Sequence, residues 1–342
     1  MDESMLHEVA ETIDALMRLD VAGRGIIGGL YAAAREKAGR PLTLAAAELL
    51  CRSVRPGDKV VIATGWVDQP VVAPGYGESD GPPGAVALAR ALRLSLRAAP
   101  VIVTDPCLVD GLKLVARAAG FQCVDADAIG HSVARDKLLT IAVLPFPSDA
   151  AEAVAAADRL LTELAPAACV AIERGGMNDA GVIHNMAGED TGASQARLDF
   201  LFRAAARAGI ATLGIGDGGN EIGMANIADA VRAAVPYGAH CQCPCAAGLA
   251  VATPVDALVT AAVSNWGAYA VAAVLGLKTG TPAALNDADR ERRVLEATAA
   301  AGFHDPIAGG VFPGADGCGL DGQLAMVTLI REAALQGAAR NK

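Results

Sequence analysis

The feature that most limits the folds open to this chain is its alternation of short apolar runs with longer, amphipathic segments. Apolar runs rich in Val, Ile and Ala fall at 59–64, 101–104, 122–124, 139–144, 168–172, 210–216 and 258–263. Between them lie helical patterns at Pro82–Ala98, Leu108–Ala119, Asp149–Leu164, Ser194–Ala208 and Asn265–Leu275. Such alternation predicts an α/β fold: a mostly parallel sheet with helices on both faces, three layers in all. Residues 5–53 are also helical in pattern, with Leu6, Val9, Ile13, Leu16 and Met17 on one face, then Ile27–Ala38 and Leu44–Ser53. Two further helices are expected near 286–301 and 320–334. The expected organisation is a helical N-terminal layer, residues 1–55, packed on a single α/β domain, residues 56–342.

Composition narrows the partners. The 342 residues are 53% apolar but only 4% aromatic, so the core must rely on small aliphatic side chains and close helix–sheet approach. A net charge of −10, with no Lys/Arg stripe, argues against nucleic acid or an anionic membrane as partner and points to a small molecule. The pattern is compatible with a homo-oligomer. The chain has no run of 18 apolar residues and no leader pattern at its start, so a cytoplasmic location is expected. The eight cysteines fit reduced, mostly buried thiols.

Chemistry concentrates in Ile210–Met224, where a strand runs into a glycine-dense turn. Gly216, Gly218 and Gly219 allow close approach of backbone to a ligand, and Asp217, Asn220 and Glu221 sit among them. Asn220 is the expected N-cap of a helix carrying Ile227, Val231, Ala234 and Val235 on one face. The carboxyl end of a strand is where ligands bind in open α/β sheets. Asp217 and Glu221 are therefore candidates for acid–base work, or for holding a hard cation such as Mg²⁺ or Mn²⁺ through oxygen. The string Gly214-x-Gly216-x-x-Gly219 also matches the dinucleotide fingerprint. Against it, Asp217 would place negative charge in the pyrophosphate cradle, and residues 236–240 offer no acidic ribose ligand. An NAD(P)-binding oxidoreductase is thus a rival reading, as is a non-catalytic acidic amino-acid binding protein. No organic cofactor is expected.

Other loops supply further polar groups. After the run at 168–172 come Glu173, a second candidate base, and Arg174, suited to a bidentate grip on a substrate carboxylate. Asn178, His184 and Asn185 follow as substrate-orienting groups. The stretch Gly65–Asp80 is long for a structureless loop, which favours a functional role. Asp80 precedes Pro82-Pro83 and reads as the cap of the next helix as well as a site residue. Asn265 reads as another cap that orients substrate, and Trp266 as a pocket wall. Cys241, Cys243 and Cys245 are spaced too tightly for the usual zinc pattern, and the one nearby fourth ligand is His240; no metal is expected there. Gly309–Gly322, with Asp316 and Asp321, reads as a surface loop that could close over the site.

Four blocks together resemble the D-glutamate cyclase family: Gly-Asp-Gly-Gly-Asn-Glu-Ile-Gly-Met at 216–224, Glu-Arg-x-Gly at 173–176, Ser-Asp-Gly-Pro-Pro-Gly-Ala at 79–85 and Val-Ser-Asn-Trp-Gly-x-Tyr at 263–269. The resemblance spans roughly 56–325. Where the family tends to carry Tyr-x-Asn-Met-Arg, this chain has Ile183-His184-Asn185-Met186-Ala187. The resemblance implies a hydro-lyase that converts D-glutamate, or a close acidic analogue, to 5-oxo-D-proline and water, helped by a divalent cation.

Overall fold

A computed structural model describes residues 2–340. In chain order it contains α1 (Glu3–Met17), α2 (Ile27–Ala38), α3 (Leu42–Ser53), β1 (Lys59–Thr64), α4 (Pro82–Leu96), β2 (Ala99–Thr104), α5 (Val109–Ala118), β3 (Gln122–Cys123), α6 (Ile129–Arg135) and β4 (Thr140–Pro145). It continues with α7 (Ala150–Leu164), β5 (Ala168–Ile172), α8 (Asp199–Arg207), β6 (Ala211–Gly216), α9 (Ala228–Ala234), β7 (Ala257–Thr260), α10 (Ser264–Lys278), α11 (Ala288–Ala300), β8 (Gly314–Ala315), β9 (Cys318–Gly319) and α12 (Leu320–Arg340). Strands β1 to β7 form one parallel sheet in the order β3-β4-β2-β1-β5-β6-β7. The α/β fold expected from the alternation is the one observed. The helix α6 has no counterpart in the sequence reading, and the helix expected from Ser194 begins five residues later, at Asp199.

Side chains along each strand alternate between two cores. Val60, Ile62, Ile102, Val170, Ile172, Leu213 and Ile215 pack with α3, α4, α5 and α10 on one face. Val61, Ala63, Val101, Val103, Ala142, Cys169 and Ala171 pack with α6, α7 and α8 on the other. Helix α10 is buried along almost its whole length, from Ser264 to Leu277. It is apolar all round because the sheet lies beneath it and α1, α3 and α12 cover its outer side. Among the described residues no helix is long and apolar enough to cross a membrane.

Several helices take their N-terminal caps from distant parts of the chain. The carboxylate of Asp14 in α1, fully buried, accepts from Leu42 N–H, Thr43 N–H, Thr43 Oγ1 and the Tyr31 hydroxyl, and so starts α3 and pins α2 beside it. The same device operates at the site. Asp80 was expected to cap its own helix α4 and Asn265 its own helix α10, but the two are exchanged. Asp80 accepts from Ser264 N–H (2.7 Å) and Asn265 N–H (2.8 Å) at the start of α10. Asn265 Oδ1 accepts from Gly81 N–H (3.0 Å) and Gly84 N–H (2.7 Å) at the start of α4. These are buried donors at helix starts, with Gly81 N–H shared between Asn265 Oδ1 and Asp80 Oδ1, and each helix start is worth about 1 kcal/mol or more in such bonds.

The chain moves outward from β1 toward β3 in its first half and from β5 toward β7 in its second. Between β1 and β5 the direction of winding reverses, which opens a crevice at their carboxyl ends.

Candidate active site

At that crevice lies a cleft of about 330 Å³, lined by groups from five separate segments. The loop after β1 brings Trp66, Asp68 and Glu78; β5 ends in Glu173; the loop beyond it brings Asn185 and Met186; and β6 ends in Asp217 and Asn220. Further contributors are Arg24, between α1 and α2, and Pro306, Ile307 and Asp316, near the C-terminal end.

Each is held by local chemistry. Asp20 accepts from Arg24 N–H (2.8 Å) and Gly25 N–H (2.6 Å), which curls the α1–α2 connection and aims the Arg24 side chain inward. Asp316 and Gly317 are the two central residues of the β8–β9 hairpin and both have positive φ, 53° and 73°, as an Asp-Gly turn of the primed type requires. The hairpin is tied down by Asp305, whose Oδ2 accepts from Gly317 N–H at 2.7 Å. Glu173, at φ 45°, joins Asp316 as a cleft residue in the left-handed region, and its Oε2 accepts from Ser264 Oγ at 2.6 Å. Gly175 lies flat against the Trp66 indole: a Cβ there would sit 1.7 Å from a ring carbon, so only glycine lets the ring form the cleft wall.

The turn after β6 is folded around its own carboxyl group. Glu221 accepts from Asp217 N–H (3.0 Å), Gly218 N–H (2.6 Å) and Gly219 N–H (2.7 Å), with Gly219 at φ 105°. These are the donors a pyrophosphate would need, and they are taken. The geometry therefore counts against the dinucleotide reading. Asn220 does not cap a helix. Its Nδ2 donates to the His184 carbonyl at 2.8 Å, and α9 starts only at Ala228, after a short 3₁₀ turn at Met224–Ile227.

Electrostatics mark the cleft. Glu78, Asp80, Glu173, Asp217, Glu221 and Asp316 are all buried, and the cation paired with them is Arg24, whose Nη1 lies 3.0 Å from Asp217 and 3.2 Å from Asp316. One ligand oxygen each from Asp80, Asp217 and Asp316 lies within 4.8 Å of the others, and the same holds for Glu173, Asp217 and Glu221. Burial, then repulsion from Asp217 and its neighbours, pushes Glu173 and Asp316 well above the usual carboxyl range. Glu78 is raised well above that range by burial and by Asp68 and Asp80. Asp80 is raised to about 8 and Glu221 to about 7, in both cases by burial first and Asp217 second, against the backbone N–H groups that favour their charged forms. Two buried oxygens, Asp217 Oδ2 and Asn220 Oδ1, have no hydrogen-bond partner. Open acceptors among crowded carboxylates suit a hard, oxygen-seeking cation, with Asp217 at the centre of both triads.

The structure separates the residues singled out in sequence into three groups: cleft lining, buried support and residues engaged elsewhere. Asp217, Asn220, Glu173 and Asn185 line the cleft. Asp80, Gly216, Gly218, Gly219 and Glu221 form its buried support. Arg174 is not a substrate ligand. It is fully buried, ion-paired to Asp105, and donates to the Gly65 and Ala196 carbonyls, so it cross-links the loops after β1, β2 and β5. Trp266 is a core residue whose Nε1 donates to Gln323 Oε1 at 2.6 Å. Asn265 is spent on the cap described above. Asn178 closes its own loop by accepting from Ala180 N–H and Val182 N–H, both at 3.0 Å. His184 turns away from the cleft toward Cys243. Asp316 is buried rather than on a surface loop.

Cleft residues not singled out in sequence include Arg24, Trp66, Asp68, Glu78 and Met186, while Asp316 was named only as part of a loop that could close over the site. Signals existed for two: an arginine between glycines at 23–25 and an Asp-Gly hairpin at 316–317.

Comparison with known proteins places this arrangement. A family model described as D-glutamate cyclase-like, C-terminal, matches residues 13–331. The mitochondrial D-glutamate cyclase of Homo sapiens is 33% identical over 204 residues, which is 58% of this chain and 29% of that protein. The match thus spans less than a third of the curated relative's length. The chain belongs to the D-glutamate cyclase-like family.

Proposed function

We propose that the chain is a lyase that closes an acidic amino acid, D-glutamate or a near analogue, into its five-membered lactam with loss of water. The observation that carries this reading is the unpartnered Asp217 Oδ2 in a cleft where burial and charge repulsion raise the neighbouring Glu173 and Asp316 carboxyls well above their usual range.

Lactam formation joins the α-nitrogen to the side-chain carboxyl carbon and breaks one carbon–oxygen bond. The α-ammonium gives up two protons, and both leave on the departing oxygen as water. A carboxylate must take a proton from the ammonium, and a carboxylic acid must deliver one to the leaving oxygen. Asp217, with a free oxygen and Arg24 beside it, is suited to the first task. Glu173 is suited to the second, because burial and its charged neighbours hold its proton. Arg24 and the amides of Asn185 and Asn220 would orient the substrate carboxylates, and the Trp66 and Met186 side chains would limit water. Glu221 acts indirectly, by fixing the turn that aims Asp217.

A hard divalent cation such as Mg²⁺ or Mn²⁺ suits the donor set, held by Asp217 with Asp80 and Asp316 or with Glu173. When bound it would supply positive charge to a carboxyl oxygen.

Incubation with D-glutamate, L-glutamate and D-aspartate, followed by chiral chromatography of the products, tests the proposal. The expected result is 5-oxo-D-proline from D-glutamate. Ligand-induced thermal stabilisation without product would favour the binding-protein reading, and stabilisation by NAD(P) the oxidoreductase reading.

A further inference from the structure

The long segment between α9 and β7 has almost no regular secondary structure, and its middle carries Cys241, Cys243 and Cys245. Their sulfurs converge. Cys241 Sγ lies 3.6 Å from Cys243 Sγ and 3.3 Å from Cys245 Sγ, and the latter two are 3.2 Å apart. The fourth corner is filled from a different part of the chain. His184 Nε2, on the loop after β5, lies 3.2 Å from Cys243 Sγ and 3.6 Å from Cys245 Sγ. All four ligand atoms lie within 4.8 Å of one another. His240, the nearest histidine in sequence, is exposed and its Nδ1 lies 3.3 Å from the Ala246 carbonyl.

We propose that His184, Cys241, Cys243 and Cys245 form a structural zinc site. A tetrahedral zinc with Zn–S near 2.3 Å and Zn–N near 2.0–2.1 Å has ligand–ligand edges of about 3.6–3.8 Å. The observed separations of 3.2–3.6 Å are close to those edges. They are far from the bonded S–S distance of about 2.05 Å, so the cluster is not a disulfide with a spare thiol. Three sulfurs and one imidazole make a closed, soft donor set, which suits zinc and not the oxygen-seeking cations that fit the acidic cleft. Asn178 Nδ2 lies 3.5 Å from Cys245 Sγ while donating to the Gly248 carbonyl at 2.7 Å, the kind of N–H contact that supports a ligating thiolate. Loading the site displaces the thiol protons of the three cysteines as zinc takes their lone pairs. The ion changes no oxidation state.

Position gives the site its purpose. The His184 carbonyl accepts from Asn220, and Asn185 is the next residue, so the imidazole anchors the strip of backbone that forms one wall of the cleft. The zinc would staple that strip to the 241–245 segment. It is separate from the acidic cleft and stands whether or not the proposed cyclisation does.

The test is the metal content of the full chain, expressed with zinc in the medium and purified without chelator or a metal-affinity column. The expected result is one zinc per chain, with X-ray absorption resolving three sulfurs and one nitrogen. Replacement by Co²⁺ should give thiolate-to-cobalt charge-transfer bands, and Cys243→Ser with Cys245→Ser should lose the metal. Should those variants fail to fold, the wild-type chain decides by itself: chelation should expose three further thiols to a thiol reagent and lower Tm. A metal-free wild type with these thiols reactive from the start, or a disulfide among them in anaerobically purified protein, would overturn the proposal. So would a zinc ion retained in a folded double variant.

Discussion

Arg24 Nη1 sits 3.0 Å from Asp217 Oδ1, and the two residues come from parts of the chain that sequence reasoning assigned to different layers. Arg24 leaves the helical N-terminal segment and ends among carboxyl groups at the edge of the sheet. Its loss would leave Asp217 and Asp316 buried without a counter-charge. Arg24→Met is expected to destabilise the fold by about 3–5 kcal/mol, as removal of one partner from a buried ion pair commonly does. Urea unfolding read by circular dichroism checks this, and an unchanged midpoint would remove Arg24 from that role.

Asp217→Asn keeps the shape of the turn, because Glu221 binds its backbone and not its side chain. Turnover of D-glutamate should fall by at least about a hundredfold, the usual scale for loss of a general base. The far-ultraviolet spectrum should not change. Near-normal turnover would break the assignment of Asp217.

Stability should fall as pH rises from the ordinary carboxyl range toward 8. Asp80, at about 8, and Glu221, at about 7, hold protons in the folded chain that they would release at ordinary carboxyl values when unfolded. Their contribution is full below the unfolded values and is lost as pH rises through 7 and 8, by up to about 1.4 kcal/mol per group and pH unit. Thermal melts across that range should show a declining Tm. Mg²⁺ or Mn²⁺ should offset the decline more at the alkaline end, because a cation and a proton compete for the same oxygens. Equal shifts at all pH values would argue against a cation in the acidic cleft.

Asn265→Ala should cost about 1–3 kcal/mol, since it strands the buried N–H of Gly84 and leaves Gly81 N–H with Asp80 Oδ1 as its acceptor. Asp80→Ala should act on α10 in the same way. Because each residue starts the helix of the other, a double-mutant cycle measured by denaturant unfolding should show coupling beyond about 0.5 kcal/mol. Strict additivity would mean the two caps are independent.

Periodicity carried most of the fold. The bounds of β1, β5 and α2 were legible to the residue, because each is a clean apolar run or stripe closed by a turn residue. The site was legible only where one segment holds several of its groups, as at 216–221 and 173–185. Arg24 and Asp316 join it through tertiary folding across 292 positions, and no local pattern reports that. Arg174 misled because its charge suggested a ligand, whereas Asp105, 69 positions earlier, had already claimed it. The caps misled similarly: Asp80 and Asn265 are cap-forming residues at helix starts, but their partners lie across the crevice.

The curl that Asp20 imposes on the α1–α2 connection has a further consequence. The cleft acquires its guanidinium only when the first two helices have settled onto the sheet, so docking of that layer completes the charge arrangement on which the proposed function rests. A single proteolytic nick between residues 20 and 25 would leave the parallel sheet whole and its acidic turn in place. It would still unmoor the arginine that lines the cleft.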